Sequence, residues 1–308
     1  MSVKPLSIRI IFLLIVVLAS CSHPGKKILD VEVDDGYVSR MIVLAETDQQ
    51  ATQVSFVYLH DRYSRPDLGD DKALLRELNE WGYRVVAPTM PWARDAWHIP
   101  YHSNRQLLDQ AVAEAAQDGK KVILIGRAFG GSHILGYGSD DLPESVTGII
   151  SITPNHFVRA SEEIQAITQL SVAEARKRLH NGQGDEPTVL SQFHRDERFY
   201  QRMTPRVYLS YYDPSKAPDL LEGITNIRKP LLLVAFEENR LMRVLHLEPR
   251  FESLMVHAPQ NIQKNSRYLK IYDPSQAKAP KMADMVMQWV VALNQKDQPQ
   301  TQTISQEN

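Results

Sequence analysis

The run Val122-Ile123-Leu124-Ile125, followed at once by Gly126-Arg127-Ala128-Phe129-Gly130-Gly131, constrains this chain more than any other segment. Four consecutive apolar residues, three of them β-branched, read as a strand buried on both faces. The glycines that follow permit a sharp, strained turn into a helix, and such a turn lifts one side chain above the sheet. Here that side chain is the methyl group of Ala128. A methyl can neither attack a carbonyl nor give a proton to a base.

The surrounding pattern predicts the layers. Ile28 to Val33 and Tyr37 to Leu44 alternate as a hairpin around Asp34-Asp35-Gly36, an antiparallel edge. Val54 to Leu59 reads as the first central strand. Leu74, Leu75, Leu78 and Trp81 recur at helical spacing, Gly82 stops that helix, and Tyr83 to Pro88 is the next strand. A second unit follows, with Ser103 and Gln106 as a capping box, Leu107, Leu108, Ala111, Val112 and Ala115 on one face, and a strand from Lys121 to Ile125. After a helix around Ser132 to Tyr137 comes the strand Gly148 to Ile152. A long insertion then contains a Ser171-x-x-Glu174 box, read as a helix start. Its aromatics Phe193, Phe199, Tyr200, Tyr208, Tyr211 and Tyr212 have two readings, a pocket lining or the insertion's own core. Strands Pro230 to Phe236 and Tyr268 to Tyr272 resume the sheet, and Met282, Met285, Val286, Trp289 and Leu293 face it from a closing helix beginning near Pro280. Strands alternating with amphipathic helices predict an α/β fold with a mainly parallel, twisted sheet covered on both faces.

The first residues predict export. Lys4 and Arg9 precede the apolar run Ile10 to Leu18, too short to remain as a bilayer-spanning helix, and Leu18-Ala19-Ser20 leads to Cys21. The last four of these residues resemble the lipobox of bacterial lipoproteins, in which the cysteine is lipidated and becomes the new N-terminus; the plainer alternative is a cleaved signal peptide with an incidental cysteine. Cys21 is the only cysteine, so no internal disulfide is expected. Ser22 after the cysteine implies, by the same resemblance, sorting to the outer membrane. Lys plus Arg number 35 against 37 for Asp plus Glu, which gives no basis for a nucleic-acid partner.

From about Val54 to Leu293 the order of elements resembles the α/β-hydrolase superfamily, and the turn at 126–131 resembles its nucleophile elbow, G-x-S-x-G, with alanine in place of serine. The resemblance implies a core over 27–154 and 229–294 with a helical cap insertion over 155–228; the export segment read above sets a signal peptide over 1–20 and a tether over 21–26, and the polar composition of 295–308 predicts a disordered tail. The resemblance also implies a nucleophile, a histidine base, an orienting acid and backbone oxyanion donors. Ala128, flanked by Gly126 and Gly130, occupies the first position. The loop after the last strand, Asp273 to Ala279, has no histidine, and His246 and His257 fall before that strand. Glu237 or Glu238 stands where the acid belongs, a vestige or a solvated loop. The backbone N–H groups of Phe129 and Asp61 are the implied oxyanion donors, but the Asp61 carboxylate would sit near the developing negative charge. Ser132 lies a turn into the helix and is read as a surface or packing residue.

Loss of a triad serine typically costs about 10⁶ in turnover, roughly 8 kcal/mol, and further loss of the histidine adds little. His98 and His102 are spaced by four, but Pro100 between them argues against a shared metal site. No P-loop or G-x-G-x-x-G pattern is present, so neither cofactor nor metal is expected. The sequence therefore points to an envelope-anchored hydrolase-fold protein without classical chemistry, whose partner is the membrane through Cys21 together with a small molecule, peptide, cell-wall fragment or protein. The alternatives are an esterase or peptidase using displaced groups and a purely structural component of an envelope complex.

Overall fold

The computed structural model describes residues 25–33, 36–46, 52–93, 97, 99–159, 161–194, 197–217, 224–236 and 246–296. Cys21 with the whole export segment, Asp34-Asp35, His98, Glu237, Glu238 and the tail from 297 lie outside the described residues.

Two antiparallel strands, β1 (Lys26–Glu32) and β2 (Val38–Leu44), pair in register and form one edge. The fully buried β3 (Val54–Leu59) leads through α1 (Gly69–Glu80) to β4 (Arg84–Pro88). A short 3₁₀ turn, Tyr101–Ser103, runs directly into α2 (Asn104–Ala115), followed by β5 (Lys121–Arg127), α3 (Phe129–Gly138) and β6 (Val146–Ile152). Because that turn is already helical, Ser103 adopts helical angles and makes no side-chain cap, unlike the expected capping box.

The insertion begins with α4 (Glu162–His180) and closes with α5 (Pro205–Tyr212). Between them stands an antiparallel hairpin absent from the sequence reading, β7 (Thr188–His194) and β8 (Glu197–Met203). The insertion is therefore helical at its ends and β in its middle. The start of α4 also differs from expectation. Ser161 caps it by accepting from the Ile164 N–H at 3.2 Å, ten residues before Ser171. Ser171 lies inside the helix, where its hydroxyl receives the Ser191 N–H at 2.8 Å and so ties α4 to β7. The sheet then resumes with β9 (Leu231–Phe236), and α6 (Leu247–His257) and α7 (Gln260–Asn265) lead to β10 (Arg267–Ile271) and α8 (Ala279–Lys296).

The eight-stranded sheet runs β1-β2-β4-β3-β5-β6-β9-β10, with every pair from β4 to β10 parallel. Alternation of side chains across the sheet separates two cores. Phe56, Tyr58, Ile123 and Ile125 face α1 and α8, packing on Leu74, Leu78, Val286 and Trp289. Val57, Leu59, Val122 and Leu124 face α2, α3 and the insertion, packing on Leu107, Ala111, Ile134 and Tyr208. Of the insertion's aromatics, Phe193, Tyr208, Tyr211 and Tyr212 are buried in this second core, while Phe199 and Tyr200 are exposed. Leu59 pairs with Gly126, Arg127 with Ile152, and Ile152 with Val234, so the carboxyl ends of four parallel strands finish level. In open α/β sheets that end is where ligands bind.

Candidate functional site

The turn between β5 and α3 is held by contact between backbones. A Cβ on Gly126 would meet the Gly130 carbonyl oxygen at 2.3 Å, and one on Gly130 would meet the Leu59 carbonyl oxygen at 2.4 Å. Only glycine fits at either position. The chain turns at Ala128, with φ 49° and ψ −110°, a sparsely populated conformation for an L residue. Its N–H is anchored on the Ile152 carbonyl at 2.8 Å. Thr153, at φ 45°, is a second strained residue in the same wall.

Above Ala128 lies a cleft of about 180 Å³ lined by Asp61, Asp70, Arg127, Thr153, Phe236 and Met282, among others. Two backbone donors beside it are already engaged. The Phe129 N–H donates to Asp61 Oδ1 at 3.2 Å, and the Arg62 N–H donates to the same oxygen at 2.6 Å. Asp61 and Phe129 meet at the bend through the Asp61 carboxylate, the group expected to oppose a developing negative charge, and this side chain is an intramolecular acceptor for the Phe129 N–H. Burial raises the Asp61 pKa, and the two N–H groups and the charges of Arg62 and Arg127 only partly counter this.

Asp70, Asp71 and Arg127 were not singled out from sequence, although Asp70-Asp71 at a helix start next to an Arg127 one residue from the bend is the available signal. Asp71 is buried and accepts from the Tyr58 and Ser64 hydroxyls. Arg127 reaches Asp70 and Asp71, each at 3.4 Å. Burial opposes its charge, yet Tyr58, Asp71, Asp61 and Asp70 outweigh that and raise its pKa.

No histidine lines this cleft among the described residues. His246 and His257 are exposed at the two ends of α6, and His102 is exposed in the 3₁₀ turn. Three other imidazoles are buried nearby, and each has both nitrogens committed. His60 Nε2 accepts from the Met90 N–H at 2.9 Å, so its Nδ1 carries the proton to the Asp61 carbonyl at 2.7 Å. His133 Nδ1 donates to the Phe129 carbonyl at 3.1 Å, with Asn104 Nδ2 3.4 Å from its Nε2. His156 Nε2 donates to the Tyr211 carbonyl at 3.0 Å, with Arg62 Nη2 3.5 Å from its Nδ1. Burial lowers the pKa of His60 to about 4, that of His133 to about 3, and that of His156 well below the ordinary range. All three are neutral imidazoles at physiological pH.

Arg62 completes this buried layer. Its guanidinium lies 4.4 Å from the centre of the Phe129 ring, and its Nη1 donates to the Phe193 carbonyl at 2.5 Å. It thereby straps β7 to the start of α3. Its Nε has no acceptor among the described residues, and no carboxylate there forms an ion pair with it. Ser132 is fully buried rather than on the surface, and its hydroxyl accepts the N–H groups of Asn155 at 3.0 Å and His156 at 2.9 Å, a packing role. Among the described residues no group of three His, Cys, Asp or Glu side chains is placed to hold a metal.

No family model matches the chain, and no curated protein sequence matches it. Solved structures do. An α/β hydrolase of Penicillium sp. superimposes with a TM-score of 0.62 at 13% identity, covering 87% of this chain and 98% of that one. An esterase of Pyrococcus furiosus gives 0.57 at 12% identity over 87% and 91%, and a monoacylglycerol lipase of Paleococcus ferrophilus gives 0.58 at 16% over 82% and 98%. With the sheet order, the elbow and the level strand ends, this likeness establishes that the chain has the α/β-hydrolase fold.

Proposed function

We propose that this protein is a hydrolase-fold binding protein of the bacterial envelope that does not perform acyl transfer, and that it receives its ligand in the cleft above Ala128. The observation that carries this reading is the Phe129 N–H donating to Asp61 beside a methyl at the bend. An oxyanion forming there would find the Phe129 and Arg62 N–H groups already donating to Asp61, and a carboxylate beside it, which opposes the transition state. The bend offers no hydroxyl or thiol, and the nearby imidazoles are neutral and saturated with hydrogen bonds. Purified protein is expected neither to label with a fluorophosphonate probe nor to turn over short-chain p-nitrophenyl esters; turnover abolished by a cleft substitution would overturn the proposal.

Attachment belongs to the same proposal. Cys21 carries the lipid, and the protein sits in the envelope, at the outer membrane. Cys21→Ser is expected to move the protein from the membrane fraction to the soluble fraction.

One observation favours a second reading. Asp61 lines the cleft and has a raised pKa, the setting in which a carboxylate can activate water. That reading predicts hydrolysis that rises with pH through a single carboxylate titration and disappears in Asp61→Asn.

A further inference from the structure

The cleft over the elbow has the opposite polarity to the one a hydrolase presents. An acyl-transfer site offers N–H donors to a ligand oxygen. Here the Phe129 N–H at the bend and the Arg62 N–H in the loop after β3 both end on Asp61 Oδ1, at 3.2 and 2.6 Å. Asp61 Oδ2 makes no hydrogen bond to any described residue, and Asp61 lines the cavity. What the described residues leave at the floor is therefore a carboxylate oxygen without a donor among them, set beside a methyl.

The rest of the wall agrees in sign. Asp70 lines the cleft and Asp71 stands behind it, against a single lining guanidinium, Arg127, which is shared between them. The other nearby cation, Arg62, is turned away under the hairpin, against the Phe129 ring and the Phe193 carbonyl. Leu74, Phe236 and Met282 supply apolar surface to the same cleft. A cavity of about 180 Å³ accommodates a short chain or small ring, not a polymer segment.

From this arrangement we infer that the cleft binds a small organic cation, a primary ammonium on a short apolar body, whose N–H groups donate to Asp61 Oδ2 and Asp70 while the body packs on Met282 and Phe236. A carboxylate or acyl ligand is excluded, because its oxygens would meet Asp61 in place of the two donors. This rests on the cleft being the binding site, as proposed above, and it adds the ligand class.

The test uses n-butylammonium and n-butyrate, similar in size and opposite in charge, at equal ionic strength, with the folded protein followed by ligand-observed NMR and thermal shift. The wild type is expected to bind butylammonium and to leave butyrate free. Asp61→Asn, which keeps the shape and an acceptor for both N–H groups, is expected to weaken butylammonium about tenfold or more. Asp61→Ala frees the Phe129 and Arg62 N–H groups and is expected to let butyrate bind. A melting curve shows that each variant is folded, and Asp70→Asn, at an exposed position, provides a second variant, expected to weaken butylammonium less.

The inference is overturned if butyrate binds the wild type as well as butylammonium does, if butylammonium does not bind at tens of millimolar, or if its binding survives Asp61→Asn unchanged. The two proposals separate cleanly. Ester turnover with ammonium selectivity intact defeats the non-catalytic reading alone, whereas an inert protein without that selectivity defeats only this inference.

Discussion

Phe129 divides two regions that a working triad would have to bring together. Its backbone N–H faces the cleft, where Asp61, Asp70 and Asp71 gather. Its ring faces the layer beneath the insertion, with centroids 4.7 Å from His133 and 4.6 Å from His156. The carboxylates thus stand beside an open cavity and the imidazoles stand in a packed core. In the core, burial keeps histidine neutral and hydrogen bonds fix each tautomer; in the cleft, the same desolvation leaves a carboxylate that retains unused acceptor capacity. Possession of both residue types within one site is not the same as having them face each other.

The largest expected effect lies on the imidazole side. His60, His133 and His156 have folded pKa values below that of an unfolded histidine, so the unfolded chain takes up protons first. Their stabilisation is complete above about pH 6.5 and is lost as the pH falls toward 4, at about 1.4 kcal/mol per pH unit for each proton taken up. Urea denaturation from pH 7.5 to 4.5 should show this steep loss. A flat profile would mean that the imidazoles are not buried as described.

Arg62→Met comes next. It keeps much of the apolar stem but removes the donor to Phe193 and the contact with the Phe129 ring, and a loss of about 2–3 kcal/mol in urea unfolding is expected. Because Arg62 straps the hairpin, limited proteolysis should cut near β7 and β8 sooner in this variant.

The carboxylate side predicts a change of opposite sign. The Asp61 pKa is raised in the fold, so its charged form opposes folding, and that penalty grows as the pH rises through its folded pKa. Asp61→Asn should be more stable than the wild type at pH 7, by about 1 kcal/mol, with the difference closing as the pH falls. A less stable variant would show that the N–H contacts outweigh the desolvation. The smallest expected effect is that of Ala128→Ser, no efficient esterase activity, because no imidazole among the described residues lines the cleft. A strong gain in p-nitrophenyl ester hydrolysis would refute the separation of the two regions.

Much of the fold is legible locally. The strand expected over Lys121 to Ile125 runs two residues further, to Arg127, and the helix expected around Ser132 begins at Phe129, but the bend between them follows from apolar continuity and glycine spacing, and β3 is found at its predicted limits. The β7 and β8 hairpin was not legible, because its apolar residues alternate weakly and β7 is held in place by α4, through the Ser191 N–H donating to Ser171, rather than patterned on its own account. Ser171-x-x-Glu174 misleads for a related reason: the same spacing recurs inside a helix, and only the cap at Ser161 marks the true start. At the site, Asp61 and Phe129 were legible as neighbours, but which atom of Asp61 faced the bend depends on a contact across 68 residues. His133 and His156 carried no motif, and their roles arise from tertiary packing alone.

The interlock at Gly126 and Gly130 makes history asymmetric at this bend. With the carbonyls of Gly130 and Leu59 pressed against Cα atoms, drift cannot straighten the loop without dismantling the sheet behind it, whatever becomes of the residue at its apex. A hydroxyl can be placed there by changing one residue, whereas bringing an imidazole from the buried layer to the cleft would require repacking the core. Any chain built on this bend would therefore keep the same backbone shape whatever residue stands at its apex, and superposition reads that shape rather than the side chain it carries.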